Sequence, residues 1–366
     1  MFDYHCQMLQ RYLQHAFTFE TKYRDQPYNE NDFDLIYPLE FDMVKPEMIK
    51  NPQKYVTGIR SHVSWSNLHF LKLVEYLNSN FQAVHVVSNY LYTIFSPYLN
   101  NVSYVSHGID LELFSPQEHA NSPIGKLIVG FSGNRKTPIK GFEEYINPIK
   151  EIDGVELRIS GFSDINLTKN DMPAFYAGLD AIISASSYEG NNNTILEAAA
   201  MGCAIVTTAH GTVPEFLINN QSALIIDRDI TKIKEAIISL RDNPQKRLSL
   251  GNNARKAILA HNWDYAKKAI DFEKFFFDAL SGKTKNYGNI KKEIDYQHLC
   301  SVIEDQWKIE KELRRGLAGK IFQVTDGEDL LIALEKKNNR IAELENKFKY
   351  ELRISNFLYK IICKEK

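Results

Sequence analysis

A chain of 366 residues, 44% hydrophobic and 25% charged, has ordinary globular composition and enough length for two cores. Its 44 lysines and arginines nearly balance 46 aspartates and glutamates, which argues against nucleic acid or another acidic polymer as a bulk partner. Four scattered cysteines form no C-x-x-C pair and no metal-type spacing, and the chain shows neither a run of about eighteen apolar residues nor a leader pattern, so a cytoplasmic protein with free thiols is expected.

Residues 1–117 open with a helix-like stretch, FDYHCQMLQRYL (2–13). β-rich runs come next at 15–23, 33–41, 54–60, 83–88 and 102–106, with the helix-period stretch LHFLKLVEYL (68–77) between the third and fourth. Such alternation predicts a parallel sheet covered by helices. The segment DLELFSPQEHANSP (110–123), polar with two prolines, reads as an interdomain linker.

A second βα series occupies 118–284, with continuous apolar strands at 126–133, 155–161, 179–187, 203–210 and 222–227. Helices are predicted at 141–152, 194–202 and 230–242, the second ending on Gly202 as a left-handed cap. The fold class is therefore α/β, with two Rossmann-like domains of which the first is abbreviated. From 285 to 366 the chain turns into a charged helical tail. Leu334, Ile341 and Phe348 stand seven apart, which supports a short coiled coil, and Phe357, Leu358, Ile361 and Ile362 sit in a basic amphipathic end. That end could pack on its own protein, on a second copy, or on an anionic membrane surface at the inner face.

The stretch SSYEGNNNTILEAAAMG (186–202) carries the most chemistry. It comes directly after an apolar strand, so it lies beyond a strand's carboxyl end, where open α/β sheets bind ligands. Asn191, Asn192, Asn193 and Thr194 place unpaired amides at a helix start, which suits phosphate. The flanking acids Glu189 and Glu197 cannot hold phosphate, but they can accept hydrogen bonds from sugar and ribose hydroxyls. A capping box, Thr194 with Glu197, is the competing structural reading.

This block resembles the Glu-x7-Glu signature of the retaining, family 4 type glycosyltransferases of the GT-B fold. Three segments match in the same order: VSHGIDLELF (105–114), FSGNRKTPIKG (131–141) and HGTVPEFLINNQSALII (210–226). The resemblance implies that Glu189 accepts from the donor sugar and Glu197 from the ribose, and that Lys140 faces the diphosphate. It also implies backbone contacts to the diphosphate from Asn192, Asn193 and Thr194, donor-binding positions at Gly190 and Asn191, a phosphate loop at Gly133 and Asn134, and a base site near Gly161 and Phe162. His62 would lie near the transferred sugar, and His107 would touch the donor or support its own turn. One departure stands out: the family's arginine after the loop glycine is replaced by Asn134, with Arg135 one place later.

The implied reaction transfers a hexosyl unit from a nucleotide diphosphate sugar to a glycan or lipid-linked acceptor, with no metal or other cofactor. A catalytically silent nucleotide-sugar-binding subunit is the alternative, motivated by the abbreviated first domain and Asn134.

Overall fold

The structure is a computed structural model that describes residues 2–23, 26–61, 64–65, 68–117, 122–161, 167–283 and 295–321. In the first half, α1 (Phe2–Leu13) leads through an irregular segment to β1 (Val56–Ile59), α2 (Phe70–Asn80), β2 (Ala83–Val86), α3 (Asn89–Phe95) and β3 (Val102–Tyr104). The strands pair in parallel in the order β1-β2-β3, with Val56 opposite Ala83 and Val84 opposite Val102. α2 buries Phe70, Leu73, Val74 and Leu77, the i, i+3, i+4, i+7 stripe of a helix lying on a sheet. Ser88 caps α3 by accepting from the Leu91 amide at 3.3 Å.

The strands expected at 15–23 and 33–41 do not form. Phe17 and Phe19 use their alternation differently: Phe17 packs on Phe276 and Phe277, with ring centroids 5.8 and 4.9 Å away. Residues 30–54 instead form short 3-10 turns at Glu30–Asp32, Phe41–Met43, Pro46–Met48 and Pro52–Lys54, and only a bridge between Ile36 and Tyr55 reaches the sheet. Pro38, Pro46 and Pro52 explain this, because each removes a donor that a strand would need.

The second half contains β4 (Leu127–Ser132), β5 (Val155–Ser160), α4 (Met172–Ala177), β6 (Ala181–Ser184), α5 (Asn193–Met201), β7 (Ala204–Thr207), α6 (Val213–Phe216), β8 (Leu224–Ile225), α7 (Ile230–Arg241), α8 (Pro244–Ala260) and α9 (Tyr265–Leu280). All five strands run parallel in the order β5-β4-β6-β7-β8. The helix expected at 141–152 is broken into a π-helical turn, Phe142–Ile146, and a 3-10 turn, Asn147–Glu151. Pro148 lacks the amide that a continuous α-helix would use there. Gly202 closes α5 with φ +77°, the left-handed cap expected.

The two halves share elements. Ile109 and Phe114, in and beside the segment read as a linker, are buried in the second half's core with Tyr176, Leu196 and Trp263. The apolar side chains of DLELF outweigh its polar ones, so a continuously exposed stretch begins only after Phe114, at residues 115–117. α9 returns to the first half, where Phe272, Phe275, Phe276 and Ala279 meet Leu9 and Leu13 of α1 and the underside of β1 and β2. α10 (Tyr296–Ile321), expected as part of a charged tail, buries Leu299 and Val302 in the core above the same sheet. Gln306 donates to the carbonyls of Trp65 and Leu68, each at 3.1 Å. The heptad positions and the terminal apolar cluster lie outside the described residues. Among the described residues no helix is long and apolar enough to cross a membrane.

Candidate functional site

β4 has β5 on one side and β6 on the other, so the connections leaving β4 and β6 diverge to opposite sides and open a crevice at their carboxyl ends. The loop after β4 carries Gly133 to Lys140, and the loop after β6 carries Glu189 to Asn192. Topology thus brings together residues as far apart in sequence as Lys140 and Glu189.

α5 begins in that crevice. Its N-cap is Asn192, whose Oδ1 accepts from the Ile195 amide at 3.4 Å while its Nδ2 donates to Ser184 Oγ at 3.1 Å. Thr194 therefore stands in the first turn, not at the cap, and donates to the Ser132 carbonyl at 3.2 Å. The capping box does not form. Glu197, one turn further, binds Lys169 through Oε1 and accepts from the Tyr176 hydroxyl through Oε2 at 2.9 Å. The amides of Asn193 and Thr194 precede the helix's own acceptors and remain the positive end of its dipole.

Lys140 closes a 3-10 turn (Pro138–Lys140) and ion-pairs with Glu189, the two side chains being 22% and 16% exposed. The turn is held by the Ser187 amide, which donates to the Ile139 carbonyl at 2.9 Å, and by Arg228, which donates to the carbonyls of Pro138 and Ile139. Glu312 of α10 accepts from Arg228 and, at 2.6 Å, from the Ser187 hydroxyl, so the helix read as a tail braces this turn. Burial pushes the Glu189 carboxyl up, but Lys140, His210 and Ser186 together pull it below its ordinary value. Glu189 is thus a stable anion beside a cation.

The remaining loop residues hold the framework. Gly133 donates to the Ser160 carbonyl at 2.9 Å, placing it beside Gly161 at the end of β5. Asn134 Oδ1 accepts from the Lys136 amide at 2.9 Å, and Arg135 lies 5.4 Å over the Phe142 ring. Asn191 ties the halves, donating to Ser106 Oγ and the His107 carbonyl at 3.1 and 3.0 Å and accepting from Thr212 at 2.9 Å. Gly190 runs against β1's end so closely that a Cβ there would lie 1.9 Å from the Arg60 carbonyl oxygen. His107 Nε2 stands 2.8 Å from Asn193 Oδ1, and its Nδ1 stands 3.2 Å from Arg60 Nη2. His62 and Phe162 lie outside the described residues.

Three participants carry no sequence signal of their own. His210 is buried, with Nε2 3.3 Å from Ser184 Oγ, 3.4 Å from Thr207 Oγ1 and 3.5 Å from Asn192 Nδ2. Burial is the main reason its pKa falls to about 4, so it is neutral. The segment around it matches the family pattern as a whole, and no local pattern singles out the histidine. Lys169 and Tyr176 reach Glu197 from a separate loop and helix, which spacing cannot reveal. Among the described residues no three His, Cys, Asp or Glu side chains are grouped as a metal cage.

Residues 139–257 match the family described as Glycosyl transferases group 1. The chain is similar to the MMP alpha-(1->4)-mannosyltransferase of Mycolicibacterium hassiacum, at 24% identity over 183 residues covering 43% of this chain and 44% of that protein. It is also similar to the GDP-mannose-dependent alpha-(1-6)-phosphatidylinositol monomannoside mannosyltransferase of Mycobacterium tuberculosis, at 22% identity over 57% of this chain and 66% of the relative. The match thus spans less than half of the first relative's length and just under two thirds of the second's. Among solved structures, Anabaena Alr3699/HepE in complex with UDP and glucose superposes with a TM-score of 0.51 at 15% identity, covering 67% of this chain and 78% of that one. Residues 139–257 are therefore similar to the group 1 glycosyl transferases, and they are set in a fold of the GT-B type.

Proposed function

We propose that the chain moves a hexosyl unit from a nucleoside diphosphate sugar to a surface polysaccharide or lipid-linked glycan, with retention of configuration and without a metal ion. The observation that carries this reading is the Lys140–Glu189 pair, set with the Asn192-capped start of α5 where the sheet changes winding direction. An ammonium and free first-turn amides form a positive lining for a diphosphate. Acids on either side accept from hydroxyls, Glu189 from the sugar and Glu197 from the ribose. Each carboxylate has spare lone pairs beside its lysine, since two oxygens offer about four acceptor sites.

In this scheme the bond from the anomeric carbon to the diphosphate breaks as the acceptor oxygen bonds on the same face, and the departing phosphate takes the acceptor's proton. Lys140 then balances the charge that grows on the leaving oxygen. The relatives, among them a GDP-mannose-dependent phosphatidylinositol monomannoside mannosyltransferase, support the donor and acceptor classes. The UDP complex of the Anabaena protein supports a nucleoside diphosphate.

Nucleotide release from UDP- and GDP-sugars by the purified chain tests the reading. Glu189→Gln should slow release by about a hundredfold. Undiminished release by that variant counts against the assignment, and binding without any release by the unaltered chain would make it a nucleotide-sugar-binding subunit.

A further inference from the structure

Arg60 directly follows β1 in the first half, and its guanidinium lies 3.2 Å from His107 Nδ1. A guanidinium can only donate, so Nδ1 must be the lone-pair nitrogen of a neutral imidazole. The proton then sits on Nε2 and is donated to Asn193 Oδ1 at 2.8 Å. This settles the orientation of the Asn193 carboxamide: its oxygen faces His107, and its NH2 group turns the other way. Asn193 is the first residue of α5, so its carboxamide stands at the helix start. Among the described residues no side chain or carbonyl accepts from its NH2 group.

The two supports are themselves fixed. Arg60 and His107 are each 8% exposed. The Arg60 amide donates to Glu40 Oε2 at 3.4 Å, and the Arg60 carbonyl is the atom against which Gly190 is packed. Burial and the neighbouring Arg60 hold the His107 pKa well below its ordinary range, so the ring stays neutral.

We infer that Arg60 and His107 are positioning residues of the first half that hold the Asn193 carboxamide with its NH2 group toward the donor's diphosphate. The inference deepens the proposed function and rests on its placement of the diphosphate at the start of α5. It also gives the Arg60 side chain, whose guanidinium acts through His107, a role in donor affinity. A charge-assisted bond from a guanidinium polarises the imidazole, and the Nε2–H donates more strongly for it.

Titration calorimetry with UDP, UMP, GDP and GMP on the full chain tests the relay. Arg60→Met should weaken the diphosphate that binds by roughly tenfold, the loss of one hydrogen bond to a charged group, and leave the matching monophosphate within about twofold. Arg60→Lys, which keeps a donor for Nδ1, should recover most of that loss. Asn193→Ala, on a partly exposed helix start, should reproduce it, and adding Arg60→Met to Asn193→Ala should cost nothing further. Additive losses, or equal losses for diphosphate and monophosphate, would overturn the relay and leave the site intact. If the unaltered chain binds no nucleoside diphosphate, both the relay and the site reading fall.

Discussion

Replacing Gly190 by alanine should push β1 away from the loop that enters α5. The added Cβ would lie 1.9 Å from the Arg60 carbonyl oxygen and 2.7 Å from its carbon, against the 3.0 Å below which real contacts essentially do not occur. At least 3.0 − 1.9 = 1.1 Å of movement is needed. The obstructing atoms are backbone, so no side-chain rotation relieves them. Overpacking of this kind costs about 2 kcal/mol, which urea unfolding can resolve. Because Arg60 moves with β1, its 3.2 Å contact to His107 should be lost as well, and nucleoside diphosphate affinity should fall alongside stability. Gly178→Ala is the control, since its Cβ meets first only the end of the Arg158 side chain, at 3.0 Å. Equal urea midpoints for Gly190→Ala and the unaltered chain, with unchanged nucleotide affinity, would refute the close approach of the two halves.

Acid should destabilise the protein well above the range in which carboxylates protonate. Burial is the first cause that lowers His210 to about 4 and His85 to about 3, and it also holds His5 and His107 well below the ordinary 6.5. With folded pKa values below the unfolded one, the unfolded chain takes up protons first. The contribution is complete above pH 6.5 and is lost as pH falls toward the folded values. For His210 the gap of 6.5 − 4 = 2.5 is worth roughly 3 kcal/mol at pH 4, at about 1.4 kcal/mol per pH step. Urea midpoints measured from about pH 7 to 4 should decline throughout, and His210→Asn should flatten the slope; a flat profile from about 6.5 to 5 contradicts the buried neutral state. Lys140→Met should let burial carry the Glu189 carboxyl above its ordinary range, visible by carbon NMR titration, while nucleotide release falls about a hundredfold. Retained release, or an unmoved Glu189 titration, would separate the two side chains functionally.

Short-range pattern was legible from the residues alone. Apolar runs marked β4, β5, β6, β7 and β8, and Gly202 marked the end of α5, because burial period and cap chemistry are written within a few neighbouring positions. The Glu189 to Thr194 loop declared itself for the same reason. Pattern misled where one signal serves two architectures. Phe17 and Phe19 alternate like a strand yet pack toward a helix, and the charged residues of α10 hid a face formed by Leu299, Val302 and Gln306.

Partnership across the chain belonged to the tertiary structure. Lys140 meets Glu189, Lys169 meets Glu197, Glu312 braces Arg228, and Arg60 reaches Asn193 through His107, each across dozens of residues or more. Strand order and the return of α9 and α10 decide which loops share a crevice, and no local spacing carries that information. A side chain's neighbours in space depend on how the sheets wind, whereas its tendency to start a helix or line a strand depends on the residues beside it.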